Sequence, residues 1–348
     1  MTLLQRVFGF DPKYGGRQIA MIGEQGTRKT TILRAYAETA LAEKTPVIWR
    51  GRRFRDQWHL IPAESTVLIP DTSPVLFWEI PQGTIDRREV KPEVQVYSTG
   101  EELLSLINPG LNVVVEPNLP SPWLAIWWVH FLTLLAHREE NPSIRKYPRM
   151  RLCFDEILDV FPSSTGGKTD AFNLIMPYLN RKFYDFRRSG TDMMFVGHAS
   201  GDIHYEIRKA FTGIMYLPGA GPIEGRRVGK KVLRGLKTGH AIVELRDIFF
   251  DLAISLPASR QPTSYISYTR SEDYWTPDEA FKRAALEILE NRRDLIRRYR
   301  LWEEPRKVKV EKRVPPDGQN REGGPPINLF KTEGKKGKKT AHPAKRGG

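Results

Sequence analysis

Cysteine is nearly absent. Cys153 is the only one in 348 residues, so no internal disulfide can form, and a reducing location such as the cytoplasm is expected. Set between Leu152 and Phe154, it reads as a small buried hydrophobe rather than a nucleophile. Long apolar runs are missing too. The most hydrophobic stretch, Pro122 to Ala136, is shorter than the roughly 20 residues a spanning helix needs and contains His130, so it reads as a core or interfacial helix. Met1 to Phe10 holds neither an apolar segment nor a small-residue cleavage site, and a secretory leader is not expected. Acidic charge is scarce: 41 Asp and Glu face 55 Lys and Arg, a net charge of +14. That imbalance points to a polyanionic partner, nucleic acid first and an anionic membrane second.

What the chain does have is an alternation of apolar runs and helical patterns, the signature of a sheet with crossover helices. Strands are expected at Ile19 to Ile22, Pro46 to Trp49, Val67 to Ile69, Val94 to Tyr97, Leu111 to Val115 and Arg151 to Phe154. Met193 to Val196, Ile214 to Leu217, Ala241 to Leu245 and Asp251 to Leu256 continue the series. Thr276, Pro277 and Glu279 then read as a capping box opening a long final helix, with Phe281, Ala285, Ile288, Leu295, Tyr299 and Trp302 on its apolar face. Three regions are expected: residues 1–270 as an α/β domain, 271–304 as a helical extension, and 305–348 as a disordered basic tail. The tail carries 13 Lys or Arg against 4 Asp or Glu, on a Pro- and Gly-rich composition that cannot bury a core.

Chemistry concentrates first in IAMIGEQGTRKTTILR, Ile19 to Arg34. A phosphate-binding P-loop needs a buried strand to aim it, small residues that let backbone N–H groups surround phosphate, a lysine for the outer phosphates and a hydroxyl for Mg²⁺. Gly23, Glu24, Gln25, Gly26, Thr27, Arg28, Lys29, Thr30 and Thr31 fill that loop, with Lys29 on the β- and γ-phosphates of ATP and Thr30 on the metal. The pattern GxxxxGK[ST] has glycine before the lysine, and this chain has Arg28. A second element, RLCFDE, delivers Asp155 and Glu156 at the end of an apolar strand, where open α/β sheets place their chemistry. Asp155 is the candidate Mg²⁺ ligand, and Glu156 the candidate base that orients and deprotonates water. A third strand, Thr191 to Gly197, ends in His198, a candidate γ-phosphate sensor.

The run DEILDVFP at Asp155 to Pro162 and the segment RRSGTDMMFVGHASGDIHYEIRKAF at Arg187 to Phe211 follow the P-loop in a telling order. From Ile19 to about Leu217 this order resembles the Zot-like ATPases of filamentous phage and, more broadly, the FtsK/HerA superfamily of DNA-pumping motors. The resemblance implies a RecA-like P-loop NTPase fold with a mixed, mostly parallel sheet flanked by helices. It also implies ATP hydrolysis with Mg²⁺, sequence-independent contact with DNA, and a homo-oligomeric ring, a hexamer. His198 stands where the sensor is usually glutamine. Rings of this kind complete each site with an arginine from the next subunit. Arg188, with Arg187, is the preferred candidate, and Arg226 and Arg227 are the alternatives. The Gly- and Lys-rich loop Gly219 to Lys231 would suit a pore that touches phosphate backbone. Zot-like proteins commonly carry a spanning segment after the ATPase domain, and none is visible here, which favours a packaging motor. A membrane-associated virion-extrusion ATPase and a non-catalytic nucleic-acid-binding protein with a degenerate P-loop stay open as alternatives.

Overall fold

The computed structural model describes residues 8, 15–72, 75–140, 147–161, 169–199, 201, 203–223, 225–245, 248–255, 262–269 and 275–299. Two sheets account for all the strands among them. The larger has ten strands in the order β12-β11-β10-β1-β9-β8-β2-β7-β3-β6. They are β1 (Gln18–Ile22), β2 (Val47–Gly51), β3 (Ser65–Pro70), β6 (Glu93–Tyr97), β7 (Leu111–Val115), β8 (Met150–Phe154), β9 (Thr191–Gly197), β10 (Gly213–Tyr216), β11 (His240–Leu245) and β12 (Ile248–Ser255). Pairing is parallel from β10 through β1 to β6, and antiparallel where β11 and β12 extend the edge. Each expected strand is present within a few residues.

Why the central strands read as unbroken apolar runs is visible in β1. Ala20 and Ile22 point into one core cluster, and Ile19 and Met21 into the other. Alternating side chains face opposite sides of a strand, so a sheet covered on both faces takes apolar residues at most positions, and buried polar exceptions such as Gln18 and Asn112 are hydrogen-bonded to backbone carbonyls. One face is covered by α1 (Lys29–Ala42), which contributes Ile32, Leu33, Tyr36, Ala37 and Ala40. The other carries α2 (Gly100–Leu106), α3 (Trp123–Ala136), α4 (Thr169–Arg188) and α5 (Tyr205–Ala210). The short α6 (Lys230–Arg234) follows, before β11. Helix α3 is the Pro122 to Ala136 stretch, and it is a core helix: Trp123, Trp127, Trp128 and Phe131 are fully buried. Trp128 packs edge-on to Phe154 with ring centroids 4.5 Å apart, which fixes α3 against the strand that carries the acidic pair. No helix among the described residues is long and apolar enough to cross a membrane.

Two features differ from expectation. The first is a three-stranded antiparallel sheet, β13-β4-β5, built from β4 (Leu76–Pro81), β5 (Arg88–Val90) and β13 (Ser264–Thr269). Phe77, Ile266 and Tyr268 join it to the α1 face of the core. The second is the final helix, which is two helices, α7 (Glu279–Ile288) and α8 (Arg293–Arg298). Thr276 is not the cap. Asp278 caps α7, its carboxylate accepting from Phe281 N at 2.7 Å, so Pro277 lies outside the helix and Glu279 inside its first turn. The break follows from Glu290 and Asn291, both at positive φ, a conformation that Asn tolerates and a continuing helix does not. Phe281, Ala285, Ile288, Leu295 and Ile296 still reach the α3 side of the core. The basic tail, Trp302 and Pro162 lie outside the described residues.

The cap assignment predicts that Asp278→Ala destabilises the protein by about 1 kcal/mol, whereas Thr276→Ala changes little. Chemical denaturation of both variants checks this, and the opposite ranking would restore Thr276 as the cap.

Candidate active site

Parallel pairing brings the C-terminal ends of β1, β9, β8, β2 and β7 to one edge of the sheet. Ile22 lies beside Gly197, and Gly51 beside Val115. Strand β9 sits between β1 and β8, so His198 emerges between the glycine-rich loop and the acidic pair.

The loop from Gly23 to Arg28 is shaped by close contacts. A Cβ on Gly23 would lie 2.5 Å from Leu217 Cβ, so no larger residue fits against the chain leaving β10. Glu24 N donates to Pro218 O, and Thr27 Oγ1 to Glu24 O at 2.7 Å, closing the turn. Gly26 and Arg28 both take positive φ, 82° and 68°. The departure from the sequence pattern thus has a structural meaning: Arg28 occupies the left-handed position for which glycine is suited, and it bears that strain at the N-cap of α1. The α1 N-terminus has no side-chain cap and no acidic residue in its first turn. Its first N–H groups lack helical acceptors, and the helix dipole there favours an anion. Lys29 is buried, and its Nζ donates to Gly23 O and Glu24 O, both at 2.6 Å, so the ammonium is held over the loop. These donors fit the phosphates of a nucleotide.

Thr30, in the first turn of α1, places its Oγ1 3.2 Å from Asp155 Oδ2. The two groups expected to share Mg²⁺ come from residues 125 apart in sequence and meet at the site. No group of three His, Cys, Asp or Glu that could hold a metal ion by itself lies among the described residues. One hydroxyl and one carboxylate are oxygen donors of the kind Mg²⁺ takes, an ion that commonly completes its shell with phosphate and water. Glu156 follows at φ 60°, a strained angle for a non-glycine residue, and this turn aims it at His198. Glu156 Oε2 and His198 Nε2 are 2.6 Å apart. Burial raises the Glu156 pKa above the ordinary carboxylate value, while His198 and Arg52 pull it back.

Beneath the site lie residues that the sequence reading missed. Arg50, at 3% exposure, donates through Nε to Glu116 Oε1 and through Nη1 to Asp155 O and Glu156 O, both at 3.0 Å. Trp128 Nε1 donates to the same Glu116 oxygen at 2.8 Å. Burial opposes the Arg50 charge, but Glu116, with Asp159 and Tyr268, outweighs it and holds its pKa above the ordinary arginine value. Arg52 reaches Asp155 Oδ2 at 3.4 Å and Asp159 Oδ2 at 3.8 Å. The signal was WRGRRFRD at the end of a strand, which acquires meaning only once β2 is known to pair with β8.

No family model and no curated protein matches the chain. Among solved structures it is similar to the genome packaging NTPase B204 of Sulfolobus turreted icosahedral virus 2 in complex with ATP-gammaS, at 12% identity and a TM-score of 0.41, covering 67% of this chain and 93% of that one. It is also similar to the N-terminal domain of zonular occludens toxin from Neisseria meningitidis, at 12% identity and a TM-score of 0.26, covering 74% and 96%.

The remaining candidates lie elsewhere. Arg187 and Arg188 end α4, where Arg187 O accepts from Gly16 N and Arg188 lies over the Tyr184 ring. That is the start of β9, about 20 Å along the strand from His198. Within one chain they do not meet the site. Arg226 donates to Arg208 O and Phe211 O, and Arg227 N to Glu244 Oε1.

Relief of the left-handed strain predicts that Arg28→Gly raises stability by up to about 1 kcal/mol, the penalty of 1–2 kcal/mol being partly offset by the extra freedom of unfolded glycine. Thermal melting checks this. A lower melting temperature would mean that the Arg28 side chain contributes more to the fold than its backbone costs.

Proposed function

We propose that this chain is a P-loop ATPase whose hydrolysis drives movement of nucleic acid, working as a ring of identical subunits. The observation that carries the catalytic part is the 3.2 Å contact between Thr30 and Asp155, with Lys29 on one side and the Glu156–His198 pair on the other. Lys29 would bind the β- and γ-phosphates, and the α1 N–H groups would cradle them. Thr30 and Asp155 would hold Mg²⁺, which when bound neutralises phosphate charge. Glu156 would orient the attacking water and accept its proton, its raised pKa bringing it nearer the operating pH of a base. His198, bonded to that carboxylate, is the group through which phosphate loss would be felt. Arg188, or Arg187 beside it, would act on a neighbouring subunit's site. The net charge of +14 supports nucleic acid as the cargo, held through its phosphates without sequence preference.

Lys29→Ala is expected to lose nucleotide binding and turnover together, and Glu156→Gln to keep binding and lose turnover by a factor of about 10² or more. ATPase assays with and without single- and double-stranded DNA, beside a nucleotide-binding measurement, test this. Turnover equal to wild type in either variant would remove the site from catalysis, and turnover indifferent to any nucleic acid would remove the cargo.

The Glu156–His198 contact gives a pH dependence with a defined sign. Glu156 must be ionised to accept a proton, and His198 lowers a pKa that burial raises. His198→Ala should therefore move the acid limb of the turnover profile to higher pH. A limb that stays in place or moves down would show that His198 does not act through Glu156.

A further inference from the structure

The turn that follows β2 presents three consecutive exposed side chains, Arg53, Phe54 and Arg55, with Phe54 59% exposed. Its backbone is anything but loose. Arg52 N and Gln57 N donate to the buried Asp56 carboxylate at 2.6 and 2.7 Å, and Trp49 Nε1 adds a bond of 3.0 Å. Strand β13 holds the outer side: Tyr268 N donates to Arg53 O at 3.0 Å, Arg55 N to Ser267 Oγ at 3.2 Å, and Asp56 and Ile266 exchange backbone bonds of 2.8 and 2.9 Å. Arg55 is kept at φ 55°, a left-handed angle uncommon for a residue that carries a side chain. The fold thus spends a small extra sheet on fixing a turn whose side chains touch solvent. The Arg53 guanidinium sits 5.0 Å from the Phe54 ring centroid, so ring and cation are presented together.

From this arrangement we infer that Arg53, Phe54 and Arg55 form a binding site for single-stranded nucleic acid, Phe54 stacking on a base and the two arginines taking flanking phosphates. The inference rests on the reading of the protein as a nucleic-acid motor and locates where its cargo touches. A rigid aromatic between cations suits a strand with exposed bases, because stacking tolerates any base and phosphate contacts carry no sequence. A duplex hides its bases and offers Phe54 nothing. The turn also has an inward member. Arg52, fixed by the same Asp56, lies 3.4 Å from Asp155, the carboxylate proposed to hold Mg²⁺, so the turn joins the three outer residues to a contact with that carboxylate.

Binding of the full-length chain to labelled oligo-dT and to a labelled duplex, followed by fluorescence anisotropy across a salt series, tests the inference. Phe54→Ala should weaken oligo-dT binding at least about fivefold with its salt dependence unchanged, and Phe54→Trp should retain it. Arg53→Ala with Arg55→Ala should lower the slope of log affinity against log salt by about 1.4, two contacts at roughly 0.7 each on a single strand. All three changes together should leave ATPase activity without DNA unaltered and abolish its stimulation by oligo-dT. Wild-type affinity in Phe54→Ala, or a loss confined to duplex, overturns the inference while the motor reading stands. A wild-type chain that binds neither nucleic acid overturns both.

Discussion

The carboxylates of the site depend on one buried cation. The Arg50 guanidinium ties the ends of β2, β7 and β8 through Glu116 and through the carbonyls of Asp155 and Glu156. The Asp155 carbonyl and the Glu156 carbonyl, which also accepts from Asp159 N, are drawn together by the same Arg50 nitrogen. Removing Arg50 would leave Glu116 as an uncompensated buried charge, and removing Glu116 would leave Arg50 only the half-exposed Asp159 at 3.4 Å; either costs far more than the pair contributes. The indole of Trp128 closes the arrangement, so the most apolar helix among the described residues is hydrogen-bonded to this pair. Position of the acidic pair, burial of α3 and alignment of neighbouring strands are therefore one problem with one solution.

Above that base the site is made of strained or tightly tied backbone. Arg28 and Glu156 both sit at positive φ on residues that carry side chains, one beside Lys29 and one beside His198. Strain of this kind persists only where surrounding structure over-determines it, and both positions flank groups assigned to the chemistry. The turn after β2 follows the same rule at Arg55. Ordinary interactions elsewhere hold these three residues where the backbone alone would not.

The parallel strands were legible because runs in a sheet covered on both faces are mostly apolar, as Val47 to Trp49 shows and as Leu111 to Val115 shows with Asn112 as its one polar member. Lys29, Thr30, Asp155 and Glu156 were legible because the residue types and the order of their strands point to phosphate chemistry, and the structure brings them together. The β13-β4-β5 sheet was not, since SYISYT is largely polar and β4 partners a segment almost 190 residues away, a pairing no local pattern encodes. Arg50 and Glu116 were hidden for a related reason: each looks like ordinary charge until strand order sets them side by side. The final helix failed locally, where Asp278 competed with Thr276 for the cap and Asn291 broke the continuation.

Helix α3 carries a consequence for the life of the chain before it is folded. Its apolar surface has no solvent side, and part of its cover is α7, which leaves the ribosome about 140 residues later. At translation rates of about 5–20 residues per second, the face of α3 that meets Phe281 through His130 waits roughly 7–30 s for that partner. Nascent chains are then at their stickiest, and how quickly they are made, and what holds them meanwhile, sets how much protein reaches the state described above.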